Sequence, residues 1–343
     1  MSNFKLHIPA FVTPIALAGV LVAIFVVDKP APIDENFVEP PLMPKNVTVQ
    51  SAAELEALFA SLDYGWPVAP HQAVPAVAVV KMPEDMATVQ DVQLKKSLFF
   101  RTMLPLIVAE NQGLVAARTK AQELFAKPVD EVTDVEWQWL GTMAELYRVY
   151  GLLDEPKLQA KLLRRLDVIP PELVLAQAAN ESAWGTSRFT KLANNLFGQW
   201  TYKESEGIVP LDRPEGAKYA VRKFATVDAS VRGYLYNLNT NPAYKKLRML
   251  REEMRNEGSE LDASVMAGGL LAYSARGEAY IEELRSMMRS NRLTPELQGL
   301  ELRSGEPKAV EPVETLGVDQ RQPQAVTPFV GVNQLFAAVF NQG

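Results

Sequence analysis

Hydrophobic and polar positions change their spacing several times along this chain, and each change marks a different kind of segment. Residues Ile8 to Val27 carry no charge, and a run of about twenty such residues is long enough to span a hydrocarbon core of roughly 30 Å. A cleaved signal peptide is the competing reading, although no small-x-small pattern closes the run. From Asp28 to about Pro75 the pattern dissolves into a proline-rich stretch (Pro30, Pro32, Pro40, Pro41, Pro44, Pro67 and Pro70) that reads as a linker. One helix interrupts it. Ser51 and Glu54 have the spacing of a capping box, and Leu55, Leu58, Phe59 and Leu62 follow at helical intervals. That apolar stripe must bury on the body that follows or on a partner.

From Val89 the period is consistently helical. Leu94, Leu98, Leu104, Ile107 and Val108 predict one long helix with Pro105 as a kink. Further helices are predicted over Thr133 to Tyr150, Pro171 to Trp184, Val227 to Leu238, Asn241 to Asn256, Asp262 to Leu270 and Glu278 to Arg289. The strand signal lies between the third and fourth of these. Gly207 to Asp212, a Pro-Glu-Gly turn and Lys218 to Thr226 predict a hairpin. After Thr294 the chain turns polar again, and the last forty or so residues read as largely disordered. The expected organisation is therefore a stub over 1–7, a transmembrane helix over 8–27, a linker over 28–74, a body over 75–300 and a tail over 301–343. The body is of α+β class, mainly helical with one small β lobe.

Composition narrows the chemistry. The 343 residues carry 35 Lys and Arg against 41 Asp and Glu, a net charge of −6, so no general basic stripe exists to neutralise nucleic-acid phosphates. There is no cysteine, and the two histidines, His7 and His71, both precede the body. Histidine-dependent nucleophilic triads, thiol chemistry and Cys/His zinc sites are excluded together. Neither a Gly-x-Gly pair nor a Gly-Lys dipeptide occurs, which removes the usual phosphate-cradling loops. Carboxylates, tyrosines and amides remain, with no cofactor and no metal implied.

Among the carboxylates, Glu181 stands out. Pro171 suits the first position of its helix and Gly185 the residue just past the end, which puts Glu181 in the last turn, one turn after Gln177. The negative end of the helix dipole disfavours ionisation there. If Trp184 and Phe189 exclude water, desolvation acts in the same direction. A carboxyl held protonated near neutral pH is what a general acid for glycosidic cleavage requires. The same position also suits an exposed glutamate at a helix end, or an ion pair with Arg188.

The stretch Asn180-Glu-Ser-Ala-Trp-Gly-Thr-Ser-Arg188, followed by Asn194-Asn-Leu-Phe-Gly198, resembles the glucosaminidase domains of bacterial peptidoglycan hydrolases, and most nearly their Bax-like subgroup. Leu104 to Asn111, Gly207 to Pro210, Tyr236 to Pro242 and Leu271 to Gly277 extend the resemblance in consistent order. The related lytic transglycosylases share the Glu-Ser opening but continue with a Gly-Leu-Met-Gln-type segment, which this chain lacks. The resemblance implies a lysozyme-like fold and hydrolysis between N-acetylglucosamine and N-acetylmuramic acid, with Glu181 as catalytic acid. It implies a second carboxylate from the β lobe, for which Asp212 and Glu206 are the candidates ahead of Glu204 and Glu215. Catalysis assisted by the sugar's own acetamido group is the alternative. Tyr273 matches a cleft tyrosine, and Asn195, Phe197 and Trp200 are candidates for the sugar-binding wall, Phe197 suiting a core position better than a contact.

The expected partners follow. They are peptidoglycan glycan strands and the inner membrane through residues 8–27, with the catalytic body in the periplasm. An envelope protein is a further expected partner, through the linker helix or the apolar Phe329 to Phe340 segment of the tail. A non-catalytic, membrane-anchored peptidoglycan-binding or adaptor protein is the competing expectation.

Overall fold

The computed structural model describes residues 42–69, 72–210, 213 and 216–303. The predicted span over 8–27, both histidines, Asp212, Glu215 and the tail with its Phe329 to Phe340 segment lie outside the described residues. Among the described residues, no helix is long and apolar enough to cross a membrane.

The centre of the body is α2 (Val92–Ala126), 35 residues long, or about 50 Å of helix. Asp91 caps it, its carboxylate accepting from Gln93 N and Leu94 N at 2.8 and 3.1 Å. Residues Leu98 to Ala109 are buried without interruption, as expected of a helix enclosed on all sides. The helix continues through Pro105. Against α2 packs α5 (Pro171–Ser182), itself buried from Pro171 to Ala179. Ala176, Ala178 and Ala179 keep α5 thin enough for α2 on one side and α10 (Glu278–Ser290) on another.

Two small parallel pairings tie the amino-terminal part of the described chain to this core. β1 (Lys45–Val47) pairs with β3 (Val77–Val79), and β2 (Val74–Pro75) pairs with β7 (Leu302–Arg303). Between β1 and β2 runs α1 (Ala52–Ser61), capped by the Ser51 side chain, which accepts from Glu54 N. The Glu54 carboxylate reaches back to Gln50 N at 2.8 Å. Leu55 and Phe59 have no exposed surface and Leu62 has 5%, so the stripe read from the sequence buries on the body. Full burial of a Leu or Phe is worth roughly 1.5–3 kcal/mol. The proline-rich stretch thus contributes a structural layer from Lys45 onward, and the opposite edge of that layer extends to Arg303.

The other predicted helices appear as α3 (Asp134–Leu146), with a complete Thr133–Glu136 capping box, α7 (Val227–Thr240), α8 (Lys245–Asn256), α9 (Ala263–Ala267) and α10. Two helices went unpredicted: α4 (Pro156–Arg165) and the six-residue α6 (Arg188–Ala193). In α4 Leu162 is buried and Leu158 and Leu163 pack against the core, a stripe confined to a helix of only ten residues. The β lobe is a three-stranded antiparallel sheet ordered β4–β6–β5, with β4 Trp200–Thr201, β5 Gly207–Ile208 and β6 Ala220–Arg222. The predicted hairpin is there, shortened and joined by a third strand. Gly207 is required where it crosses β6, because a Cβ there would stand 2.7 Å from that of Ala220.

Candidate active site

The last turn of α5 sets the site. Gln177 and Glu181 lie four residues apart and share one helix face. The helix stops at Ser182, two residues before the predicted end, because Ala183 (φ 48°), Trp184 (φ 60°) and Gly185 (φ 79°) all turn left-handed. Two of these three carry a Cβ, at a cost of roughly 1–2 kcal/mol each. The buried Ser182 hydroxyl offsets part of that cost by donating to Ala178 O and accepting from Gly185 N at 2.5 and 2.8 Å. Trp184 is thereby turned onto α2, its ring 5.9 Å from Phe99 and 5.3 Å from Phe100, with Lys96 Nζ 4.8 Å above it.

Beside the half-buried Glu181 lies a group of tyrosines. Tyr273 stacks on Tyr280 at 5.6 Å with planes 2° apart, Tyr234 meets Tyr273 edge-on at 6.4 Å, and Tyr244 lies 5.9 Å from Tyr273. A directed chain of hydrogen bonds ends on the carboxyl. Tyr234 donates to Gln177 Oε1, Gln177 Nε2 donates to the Tyr280 oxygen at 2.8 Å, and the Tyr280 hydroxyl hydrogen-bonds Glu181. Because the Tyr280 oxygen already accepts from Gln177, its proton is directed to Glu181.

Burial raises Glu181 above the usual carboxylate range. Hydrogen bonds from Tyr280 and Asn180 and the charge of Arg276 oppose the rise, while the charge of Glu283 adds to it. Arg276 and Glu283 form their own ion pair at 2.6 Å, so a second carboxylate stands one turn beyond Tyr280 on α10.

The Asn194 to Gly198 loop approaches from the other side. Gly198 (φ 62°) brings its backbone so near that a Cβ would sit 3.8 Å from Glu181 Oε2. Asn195 is buried and fully engaged: its amide donates to Gln199 O and Arg222 O, both at 2.8 Å, and its oxygen accepts from Phe197 N and Gln199 N. It shapes the loop and has no capacity left for a sugar. Phe197 is buried and stacks on Tyr234 at 3.9 Å, which makes it core. Tyr273 donates its hydroxyl to Phe197 O at 2.6 Å and so pins this loop beside Glu181. Trp200 is different. It is 56% exposed, edge-on to Tyr219, and two residues from the largely exposed Tyr202, which leaves an aromatic face open beside the loop.

Glu206 sits in a short turn of the β lobe with its carboxylate 3.3 Å from Lys203 Nζ, and its carbonyl accepts from Lys223 N. Glu204 pairs with Arg213 at 2.5 Å. Glu181 is therefore brought together with Tyr273, Phe197 and Asn195, whereas Glu206 is engaged within its own lobe. Gln177, Tyr234, Tyr280 and Glu283 were missed. The available signal was composition: five of the ten tyrosines fall between Tyr234 and Tyr280. A cavity of about 730 Å³ lies elsewhere, between Trp66, Lys96, Phe100, Arg101 and Arg292. Among the described residues, no group of three or more His, Asp or Glu side chains is arranged to hold a metal ion.

Residues 157–293 match the glucosaminidase family model, described as mannosyl-glycoprotein endo-beta-N-acetylglucosaminidase. The chain is also 33% identical over 199 residues to protein bax of Escherichia coli (strain K12), across 57% of this chain and 70% of that one. No solved structure gives a significant match. Both Glu181 and the tyrosine group fall inside the matched region.

Proposed function

We propose that this chain, which belongs to the Bax-like glucosaminidase family, hydrolyses peptidoglycan glycan strands between N-acetylglucosamine and N-acetylmuramic acid, with Glu181 as general acid. The observation that carries this reading is a single carboxyl that combines burial among tyrosines, a raised proton affinity and close approach of the Gly198 backbone. A protonated Glu181 gives its proton to the leaving glycosidic oxygen, as an acid whose pKa is lifted toward the working pH does. The Tyr280 hydroxyl fills one acceptor site on the carboxyl, which leaves the remaining sites for the reactive proton. The exposed Trp200 supplies an apolar face for a sugar ring. The lysozyme-like architecture belongs to the same reading.

The group that activates water is Asp212 or Glu206 in an inverting scheme, which requires about 6.5–9.5 Å between carboxyls. In an acetamido-assisted scheme neither is needed. Glu206 would have to leave Lys203 to serve. The reading also includes anchorage in the inner membrane through 8–27 with the body in the periplasm, supported by the length of that uncharged run.

The test is digestion of purified peptidoglycan, reduction of the products with borohydride and identification of the new ends by mass spectrometry. Reduced N-acetylglucosamine ends that vanish with Glu181→Gln are expected. Reduced muramic or anhydromuramic ends would overturn the bond assignment. A folded protein that retains peptidoglycan without cutting it would overturn the catalytic role in favour of a binding protein.

A further inference from the structure

An unusual concentration of positive charge lies away from Glu181, where α4 packs on α8. A cavity of about 270 Å³ there is lined by five arginines, Arg118, Arg164, Arg248, Arg251 and Arg255, with only Asp167 and Glu252 as acids. Three positive charges are left over, in a chain whose net charge is −6. The floor is rigidly built. Arg251, 1% exposed, donates to Asp167 O, Val168 O and Arg164 O at 3.0, 2.7 and 2.8 Å. Arg248 donates to Leu238 O and Asn241 O at 2.6 and 2.9 Å. The single Asp167 carboxylate faces three guanidinium groups: Arg255 at 3.1 Å, Arg118 at 3.5 Å and Arg251 at 3.7 Å. Burial, and then neighbouring arginines, hold Arg248 down at about 10; Arg251 is also held at about 10 by burial, with Asp167 opposing and Arg118 and Arg255 adding to it. The cations at this floor are thus incompletely compensated from within the chain.

The mouth differs from the floor. Arg164 and Arg255 have side chains 34% and 39% exposed. Arg164 uses one nitrogen on Glu252, at 2.6 Å, and Arg255 uses two on Asp167. A guanidinium has five N–H donors in a planar fork suited to oxyanions, so each has donors remaining at the opening. We infer that this pocket between α4 and α8 is a binding site for a phosphate group, held by Arg164 and Arg255 above the Arg248 and Arg251 floor. A singly charged carboxylate would leave two charges uncompensated, whereas a phosphate or diphosphate neutralises most of them. The volume lies just below the usual small-molecule range of about 300–1,000 Å³, which fits a phosphate or a lipid headgroup rather than a sugar polymer. None of these residues belongs to the Glu181 site, so this inference stands apart from the hydrolase reading.

The test uses the full chain in an uncharged detergent, titrated calorimetrically with inorganic phosphate, with inorganic pyrophosphate and with soluble dihexanoyl phosphatidylglycerol. Saturable one-to-one binding of at least one probe is expected, weakened on the order of tenfold or more by combining Arg164→Gln with Arg255→Gln. Arg164→Lys keeps the charge without the fork, and is expected to fall between the two. A response to phosphate or pyrophosphate identifies a soluble source; a response to phosphatidylglycerol alone identifies a lipid headgroup. The inference is overturned if no probe binds, or if the double variant, melting within a few degrees of the parent, binds equally well.

Discussion

Replacing Tyr280 with phenylalanine removes one hydroxyl and keeps the ring that stacks on Tyr273, so the partial burial of Glu181 persists while one hydrogen bond is lost. That bond favours the ionised carboxyl and opposes the rise caused by burial. Hydrogen bonds to charged groups contribute roughly 1.5–3 kcal/mol and those to neutral groups roughly 0.5–1.5. Their difference, on the order of 1–1.5 kcal/mol, corresponds to about one pH unit. In Tyr280→Phe the Glu181 pKa therefore moves further upward by about that amount. Activity that depends on protonated Glu181 extends to correspondingly higher pH. Carbon-detected NMR titration of glutamate-labelled protein, with the resonance assigned through Glu181→Gln, measures the shift directly; the alkaline limb of the pH–rate profile measures it in turnover. Gln177 Nε2 also loses its acceptor, so a stability loss of roughly 1–3 kcal/mol accompanies the change. An unchanged or lowered Glu181 midpoint in a folded variant would refute the assigned direction of the Tyr234–Gln177–Tyr280–Glu181 chain.

Two further predictions concern the fold. Burial raises Glu172 from its ordinary 4.5 to about 7, against the opposing pull of its backbone hydrogen bond and of Gln298. Between those values the folded state holds a proton that the unfolded state has released, so its contribution is complete below about 4.5 and declines as pH climbs to about 7. Glu172→Gln is expected to flatten this decline and to gain on the order of 3 kcal/mol at pH 8, at about 1.4 kcal/mol per pH unit. Urea denaturation at pH 5 and pH 8 checks it, and an undiminished pH dependence in the variant would count against buried, protonated Glu172. Phe59→Ala is expected to cost about 3–5 kcal/mol as a core truncation, read from the denaturation midpoint. A change below about 0.5 kcal/mol would mean that α1 is not a structural layer of the body.

Much of the organisation was legible because it is written in local chemistry. Helical periods and the Ser51–Glu54 capping box depend on residues a few positions apart, and each reappears at the expected place. Glu181 was legible because its neighbours in sequence are its neighbours in space, including Gln177 one turn away and the motif that follows. What stayed hidden was set by partners far along the chain. The proline-rich stretch reads as a linker because prolines lack an apolar period, yet Lys45 pairs with Val77 and Val74 with Leu302, contacts that no local pattern encodes. Trp184 follows Glu181 closely but faces α2, because three left-handed residues reverse the chain. Asn195 looks like a sugar contact in one dimension and becomes a loop bracket once β6 closes on it, while Phe197 takes the core position that suits it once Tyr234 stacks on its ring. The arginines of α4 and α8 lie more than eighty residues apart in sequence, and only helix packing sets them around one cavity. The sequence by itself determined most of the helices, the candidate carboxyl and the atoms available for chemistry. The tertiary structure decided which tyrosines surround that carboxyl and which charges meet with too few counterions, because burial and Coulomb interaction depend on distance in space and not on separation along the chain.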